Sequence, residues 1–260
     1  MGEFFDKPHT SWETELRGLP CKIADSAAVA AAKAGEKNYA GYIKLGKALS
    51  RQLRYREAAG AFSLALRERP EDLTALRLRA GQYLSALQTE KAREDFENCL
   101  ALGNEALDIT YRLGLCAYYA GDYSHAMGQF EACLPLADDE MGVAILYWHT
   151  LCAYRSGRPA SLLSAYHAGM EVGHHFAYEK AVRVCAGAGS LAEELTALGA
   201  EADDLHYTIT AYALSWYLRQ LGQETEGQAL LRQVRSRDGF WPCYAYLAAW
   251  NDENRRKQYV

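Results

Sequence analysis

The sequence contains little proline and few runs of β-branched residues. Only six prolines occur in 260 residues, and proline is the residue that helix interiors tolerate least. β-Branched residues favour strands and form no long runs here. Half of the residues are hydrophobic, which is enough to build a core. This composition favours an all-helical protein.

Positive charge is not in excess. The formal net charge is −5, whereas general nucleic-acid binding depends on basic surface that displaces counterions from phosphates. We therefore expect no nucleic-acid partner. The charge is unevenly distributed, because residues 39–72 contain seven Lys and Arg against four Asp and Glu, while residues 190–205 contain five acidic residues and no basic one.

Features of exported and membrane proteins are also missing. No apolar run reaches the roughly 20 residues that a membrane-spanning helix needs. The first residues lack the basic and apolar regions of a secretory signal. The seven cysteines are odd in number and form no CxxC pair, which fits a reduced compartment. We expect a soluble cytoplasmic protein with no membrane partner.

Motifs of common catalytic and cofactor sites are absent as well. The chain has no P-loop, glycine-rich dinucleotide turn, nucleophile elbow or oxyanion loop. His174 and His175, with His167, match no common zinc spacing. His149 lies one helical turn from Cys152, but the other parts of a Cys–His catalytic site are missing. We expect a non-catalytic protein without a metal or cofactor.

What the sequence does contain is a 34-residue repeat over positions 39–138. Small residues and one aromatic residue recur in register three times. The corresponding positions are Leu45 with Gly46, Arg79 with Ala80 and Leu113 with Gly114; Ala58, Ala92 and Ala126; Phe62, Phe96 and Phe130; and Ala65, Cys99 and Cys133. A constant period of this length is the signature of stacked repeats.

Each recurring residue type has a physical role in a pair of packed helices. Small residues such as Gly46 and Ala58 let the two helices of a pair approach closely, and the aromatic residue fills the space toward the next pair. Cys99 and Cys133 are expected to be small buried hydrophobic residues. Pro70 ends the second helix of the first pair. Because one pair cannot bury its apolar face alone, several pairs must stack.

These segments resemble the tetratricopeptide repeat (TPR), whose pattern is W-x2-L-G-x2-Y, then A-x3-F, then Pro. The resemblance implies an all-α fold, an α-α superhelix in which antiparallel helix pairs form a right-handed solenoid. The expected boundaries are a lead-in and capping helix over 1–38, with the helix at 23–33, and four repeats at 39–72, 73–106, 107–140 and 141–174. Degenerate repeats and a C-terminal capping helix are expected over 175–260, with helix pairs at 176–199 and 208–236 and a last helix over 242–254.

The fourth repeat departs from the pattern at two positions. Trp148 stands where glycine or alanine is expected, and Ser164 stands where phenylalanine is expected, while Ala160 keeps the register. The large ring of Trp148 predicts either a wider helix spacing or a ring that points elsewhere.

The resemblance also implies a concave groove lined by the first helix of each repeat. Aromatic residues and arginine are enriched at binding hot spots, and both types fall on this face, with the basic residues toward the N-terminal end. The candidate groove residues are Lys47, Arg51, Arg77, Tyr111, Arg112, Tyr118, Tyr119, His149, Tyr212 and Trp216, and Thr74 and Asp108 fall on the same face. We expect the groove to bind another protein or a peptide through an acidic or C-terminal segment. The carboxylate clamp of chaperone-binding members is not reproduced, because Ile43 and Lys47 occupy its first two positions.

Two other functions stay open on the sequence alone. A structural subunit would self-associate as a homodimer through C-terminal aromatic residues, namely Trp241, Tyr244, Tyr246 and Trp250. A ligand-sensing regulator would change its superhelical pitch on binding a small peptide, although the chain has no helix-turn-helix DNA-binding module.

Overall fold

The structure, a computed structural model, describes residues 27–103 and 106–258. This part of the chain contains thirteen α-helices and no β-strand. The chain divides into two compact units, Met1–Cys116 and Ala117–Val260, which are described separately. The predicted lead-in over 1–22 and the start of the predicted capping helix at 23–26 lie outside the described residues.

The first unit consists of consecutive helix pairs. Its helices are α1 (Ala27–Ala34), α2 (Tyr39–Arg51), α3 (Tyr55–Glu68), α4 (Leu73–Ser85), α5 (Thr89–Ala101) and α6 (Ala106–Ala120), of which α6 continues past the end of the unit. Asn38 and Asp72, which are 34 residues apart, start α2 and α4 because their side chains accept hydrogen bonds from the backbone amides of Gly41 and Ala75. Val29 and Ala32 of α1 join the core formed by α2 and α3, so α1 caps the array.

The repeat positions pack as their spacing predicts. Phe62, Phe96 and Phe130 are fully buried, as are the small residues at the other two recurring positions of the second helices. An added Cβ on Gly46 would lie 2.4 Å from Cε1 of Phe62, so the α2–α3 contact requires glycine. The prediction of an all-α fold built from consecutive helix pairs is confirmed.

A left-handed residue closes each short loop between paired helices. Leu53, Leu87 and Gly121, spaced by 34 residues, have φ angles of 57°, 53° and 81°. Only glycine adopts this conformation without steric cost. The first two repeats therefore carry strain that the third avoids.

The second unit keeps the repeat spacing at its start and then departs from it. It contains the end of α6, then α7 (Tyr123–Cys133), α8 (Asp139–Ser156), α9 (Phe176–Cys185), α10 (Leu191–Gly199), α11 (Asp204–Gln220), α12 (Glu224–Ser236) and α13 (Tyr244–Gln258). Short 3-10 helices lie at Leu134–Leu136, Ser161–Ala165 and Gly173–His175. The predicted helices at 176–187 and 191–199 correspond to α9 and α10.

The segment after α8 contains no second α-helix where the repeat spacing predicts one. Gly157 ends α8 with a φ of 67°, and Gly169 and Gly173 also have positive φ angles, which a continuous helix does not permit. Hydrogen bonds instead fix this segment to the start of α8: the amide of Glu171 donates to Asp139 (3.0 Å) and the amide of His174 to Glu140 (2.8 Å). The departure at Ser164 therefore reflects a missing helix.

Trp148 explains the other departure, because its ring lies in the core of the second unit. Residues 142–153 of α8 are buried on all sides. The Trp148 ring contacts Tyr118 edge-on, with 4.9 Å between centroids, and Tyr147 at 5.2 Å. An indole takes the space that a close helix contact would occupy in an ordinary repeat.

Among the described helices, none combines the length and apolarity needed to cross a membrane.

Candidate functional site

The first helices of three consecutive pairs in the first unit form an open cleft, here called the basic cleft. Its volume is about 480 Å³. Lys47 of α2, Arg112 of α6 and six residues of α4 line it; those of α4 are Leu73, Thr74, Arg77, Leu78, Gly81 and Gln82. Three of the ten sequence-predicted groove residues, Lys47, Arg77 and Arg112, are therefore brought together.

Asp108 organises the two arginines of the basic cleft. Its Oδ2 accepts from Nε of Arg77 (3.0 Å) and lies 2.9 Å from Nη2 of the same guanidinium. Its Oδ1 accepts from Nε of Arg112 at 2.9 Å. Each carboxylate oxygen thus holds a different arginine. Asp108 and Arg112 are four residues apart on one helix, a spacing that favours such pairs and that provides the sequence signal for half of this arrangement.

Lys47 is a cation of the basic cleft that has no counter-ion among the described residues. Its side chain is exposed and forms no hydrogen bond or ion pair with another described residue. Arg51 is exposed one helical turn further along α2 but does not line the cleft. With Asp108 counted against Lys47, Arg77 and Arg112, the cleft has an excess of two positive charges.

Gln82 lines the same cleft and carries a buried polar atom. Its Oε1 is inaccessible to solvent and has no hydrogen-bond partner within residues 27–103 and 106–258. A buried acceptor without a partner costs about 1–3 kcal/mol. The repeat pattern alone did not indicate Gln82.

Most predicted aromatic groove residues are instead buried. Tyr111, Tyr118, Tyr119 and Tyr212 have at most 8% of their surface exposed, and His149 has none. Their side chains are occupied by packing, so they are removed from the candidate surface. Trp216 is half-buried.

Tyr118 and Tyr212 meet at a polar cluster in the second unit, here called the Arg155 cluster, formed by Tyr118, Arg155, Tyr212 and Asp252. The Tyr212 hydroxyl donates to Asp252 at 2.8 Å, and Tyr118 donates to the Tyr212 oxygen at 2.7 Å. Nη1 of Arg155 lies 2.6 Å from Oδ1 of Asp252 and donates to both hydroxyls at 3.1 Å. Burial raises the pKa of both tyrosines, so they remain donors at neutral pH.

Aromatic rings enclose the Arg155 guanidinium. It stacks over Trp216 and over Tyr123, each with 4.5 Å to the ring centroid. Cation–π contacts of this kind stabilise a desolvated guanidinium. The predicted residues Tyr118, Tyr212 and Trp216 therefore form one structural group with Arg155 and Asp252, which the repeat pattern did not single out.

Tyr119 and His149 also serve the core of the second unit. The Tyr119 hydroxyl donates to the backbone oxygen of Tyr244 (2.9 Å). His149 lies 3.3 Å from Glu131 through Nε2, and burial lowers its pKa. Burial likewise raises the pKa of Cys152, so the thiolate needed by a Cys–His nucleophile is disfavoured.

Three of the four residues of the proposed homodimer surface are not exposed as expected. Trp241, Tyr246 and Trp250 of the proposed homodimer surface are buried within the second unit, so their rings are not available to a second copy. Among the described residues, no three His, Cys, Asp or Glu side chains are grouped so that they could hold a metal ion.

Comparison with known proteins adds a general likeness. No protein-family model matches the chain, and no curated protein matches it. Among the solved structures that match is YrrB, described as "a TPR protein with an unusual peptide-binding site". That structure is 16% identical, covers 89% of this chain and 100% of its own, and superposes with a TM-score of 0.46. Independently of this likeness, the first unit has a TPR-like arrangement, with a 34-residue spacing and packed helix pairs.

Proposed function

We propose that this protein is a non-catalytic binding scaffold whose basic cleft holds an acidic segment of another protein. The observation that carries the proposal is the convergence of Lys47, Arg77 and Arg112 on one open cleft of about 480 Å³. Three cations on adjacent helices attract carboxylates and accelerate association with an acidic partner.

The lining of the cleft suits a peptide better than a simple anion. Leu73 and Leu78 provide apolar surface beside the cations, which favours a ligand with both acidic and apolar side chains. Gln82 also lines the cleft, and its side-chain NH2 group is a suitable donor for the backbone carbonyl groups of an extended segment. Peptide ligands combine main-chain hydrogen bonds with pockets for side chains in this way.

A peptide array tests the proposal. The protein, labelled with a fluorescent dye, would be applied to immobilised 12-residue peptides that vary systematically in acidic and apolar content. We expect the bound peptides to be enriched in Asp and Glu and to include an apolar residue. Affinities of the best peptides would then be measured by fluorescence anisotropy.

Lys47→Glu is the informative variant because it breaks no ion pair within the described residues. We expect it to weaken binding of the selected peptides about tenfold, a loss of about 1.4 kcal/mol. Arg158→Glu is the matched control, since Arg158 is exposed on the second unit and makes the same charge change away from the cleft. Equal weakening by both variants, or bound peptides without acidic enrichment, would contradict the proposal.

A further inference from the structure

Arg77 is held by Asp108 along one edge only. A guanidinium is planar and carries five N–H donors in a fixed fork. The contacts with Asp108 use the Nε and Nη2 side of Arg77. The Nη1 group has no hydrogen-bond partner among the described residues, and the side chain is 47% exposed. One edge of this arginine is therefore fixed, and the other is accessible.

We propose that Asp108 is the positioning residue of the basic cleft: it fixes Arg77 and Arg112 so that they receive a segment with two neighbouring carboxylates. This inference rests on the proposed function. Asp108 is 25% exposed and bonded through both oxygens, so the two arginines occupy both of its carboxylate oxygens. The choice of two carboxylates follows from the excess of two positive charges in the cleft.

The energetic reason lies in side-chain entropy. An arginine that is immobilised on binding loses rotamer freedom, and this loss of entropy opposes binding. Because Asp108 immobilises Arg77 and Arg112 before the ligand arrives, a bound carboxylate does not meet that cost. Asp108 also carries negative charge, which alone would repel an acidic ligand. If Asp108 acts by positioning, removal of its charge weakens binding of an acidic ligand. If repulsion dominates, removal of its charge strengthens binding.

Asp108→Asn separates the two effects. The probe is a fluorescein-labelled peptide with two adjacent glutamates among Gly, Ser and Leu residues, and its Gln-Gln counterpart is the negative control. If Asp108 positions the arginines, the variant binds the Glu-Glu peptide about tenfold more weakly although its cleft is more positive. Binding as tight as the wild type, or tighter, would overturn the positioning role.

Arg77→Lys provides the second measurement, and its effect in the wild-type background does not depend on the stability of the Asp108 variant. Lysine keeps the charge but lacks the planar fork, so it cannot contact Asp108 and a ligand through two fixed edges. We expect Arg77→Lys to weaken binding of the Glu-Glu peptide about tenfold in the wild-type background. In Asp108→Asn we expect a much smaller further loss of affinity, because both substitutions disrupt the same Arg77–Asp108 contact. Additive losses, or no loss with lysine, would contradict the inference. If the wild type does not bind the Glu-Glu peptide, the proposed function itself fails, which is a distinguishable outcome.

Discussion

Individual glycines in this chain have opposite effects according to their surroundings. The α carbon of Gly46 faces the Phe62 ring, whereas Gly128 in α7 has nothing within 4 Å of the position of an added Cβ. Both lie within helices, where alanine is intrinsically favoured over glycine by about 1 kcal/mol. Only close packing distinguishes them.

We expect Gly46→Ala to lower the free energy of unfolding by about 1–3 kcal/mol, because the methyl group must displace the Phe62 ring or the helix. Gly128→Ala is expected to raise it by about 0.5–1 kcal/mol. Chemical denaturation followed by circular dichroism measures both values. Stabilisation by Gly46→Ala would show that α2 and α3 are not in the close contact described.

The left-handed loop residues allow a second test at this scale. Leu87 has a φ of 53°, while the corresponding residue of the next pair is Gly121. A left-handed non-glycine residue costs about 1–2 kcal/mol, so we expect Leu87→Gly to stabilise the protein by up to about 1 kcal/mol after its side-chain contacts are lost. We expect Gly121→Ala to destabilise the protein, because alanine is strained at a positive φ angle. Thermal unfolding of both variants checks the pair, and a destabilised Leu87→Gly together with an unaffected Gly121→Ala would contradict this account.

At the scale of elements, the Arg155 cluster joins four helices of the second unit. Asp252 of α13 contacts Arg155 of α8 and Tyr212 of α11, and Tyr118 comes from the end of α6. Removal of one partner from a buried ion pair leaves a desolvated charge, which costs about 3–5 kcal/mol. We expect Asp252→Asn to destabilise the protein by about that amount.

Glu253→Gln is the control for Asp252. Glu253 is the next residue on α13 but is 47% exposed and pairs with Arg235 at 3.2 Å. Exposed ion pairs contribute less than about 1 kcal/mol, so this variant should unfold close to the wild type. Denaturation curves give the free energy of unfolding of both variants. Equal values would show that the Arg155 cluster does not stabilise the packing of α13.

A histidine of helix α8, His149, makes the free energy of unfolding depend on pH. His149 is fully buried, and burial lowers its pKa despite the contact with Glu131. The unfolded chain binds a proton at this residue near pH 6.5, whereas the folded protein resists it until lower pH. The folded state thus binds fewer protons, and stability is lost as the pH falls below about 6.5.

We expect His149→Gln to reduce the loss of stability between pH 7 and pH 5, even if the variant is less stable at pH 7. His125→Gln is the matched control, because His125 is exposed on the neighbouring helix α7. Urea unfolding at several pH values measures the slope. An unchanged slope in His149→Gln would mean that this histidine does not titrate differently in the folded protein.

At the scale of the whole molecule, the sequence determined some features more directly than others. The register of α2 to α7 could be predicted because residues that pack between helices, such as Gly46 and the repeated phenylalanines, recur every 34 residues. The cations of the basic cleft could be predicted because Lys47 and Arg77 are costly to bury and remain on the open face. Both inferences depend on local residue chemistry.

The burial of the aromatic residues could not be predicted in the same way. The repeat pattern assigns Tyr118 and Tyr212 to a face of a helix, but it does not show whether other helices cover that face. Their burial depends on Arg155 and Asp252, which are distant in sequence and belong to no repeat position. The missing second helix after α8 was similarly hidden, since glycine permits positive φ angles such as those of Gly169 and Gly173 but does not require them.

The central claim is that the basic cleft of the first unit is the binding site. The most direct test is a two-dimensional NMR titration of the ¹⁵N-labelled protein with the Glu-Glu peptide and, separately, the Gln-Gln peptide. We predict saturable shifts of the Gln82 side-chain amide, the Arg77 and Arg112 Nε groups and the α4 backbone with the acidic peptide alone. Shifts confined to the second unit, or the same shifts with both peptides, would contradict the account.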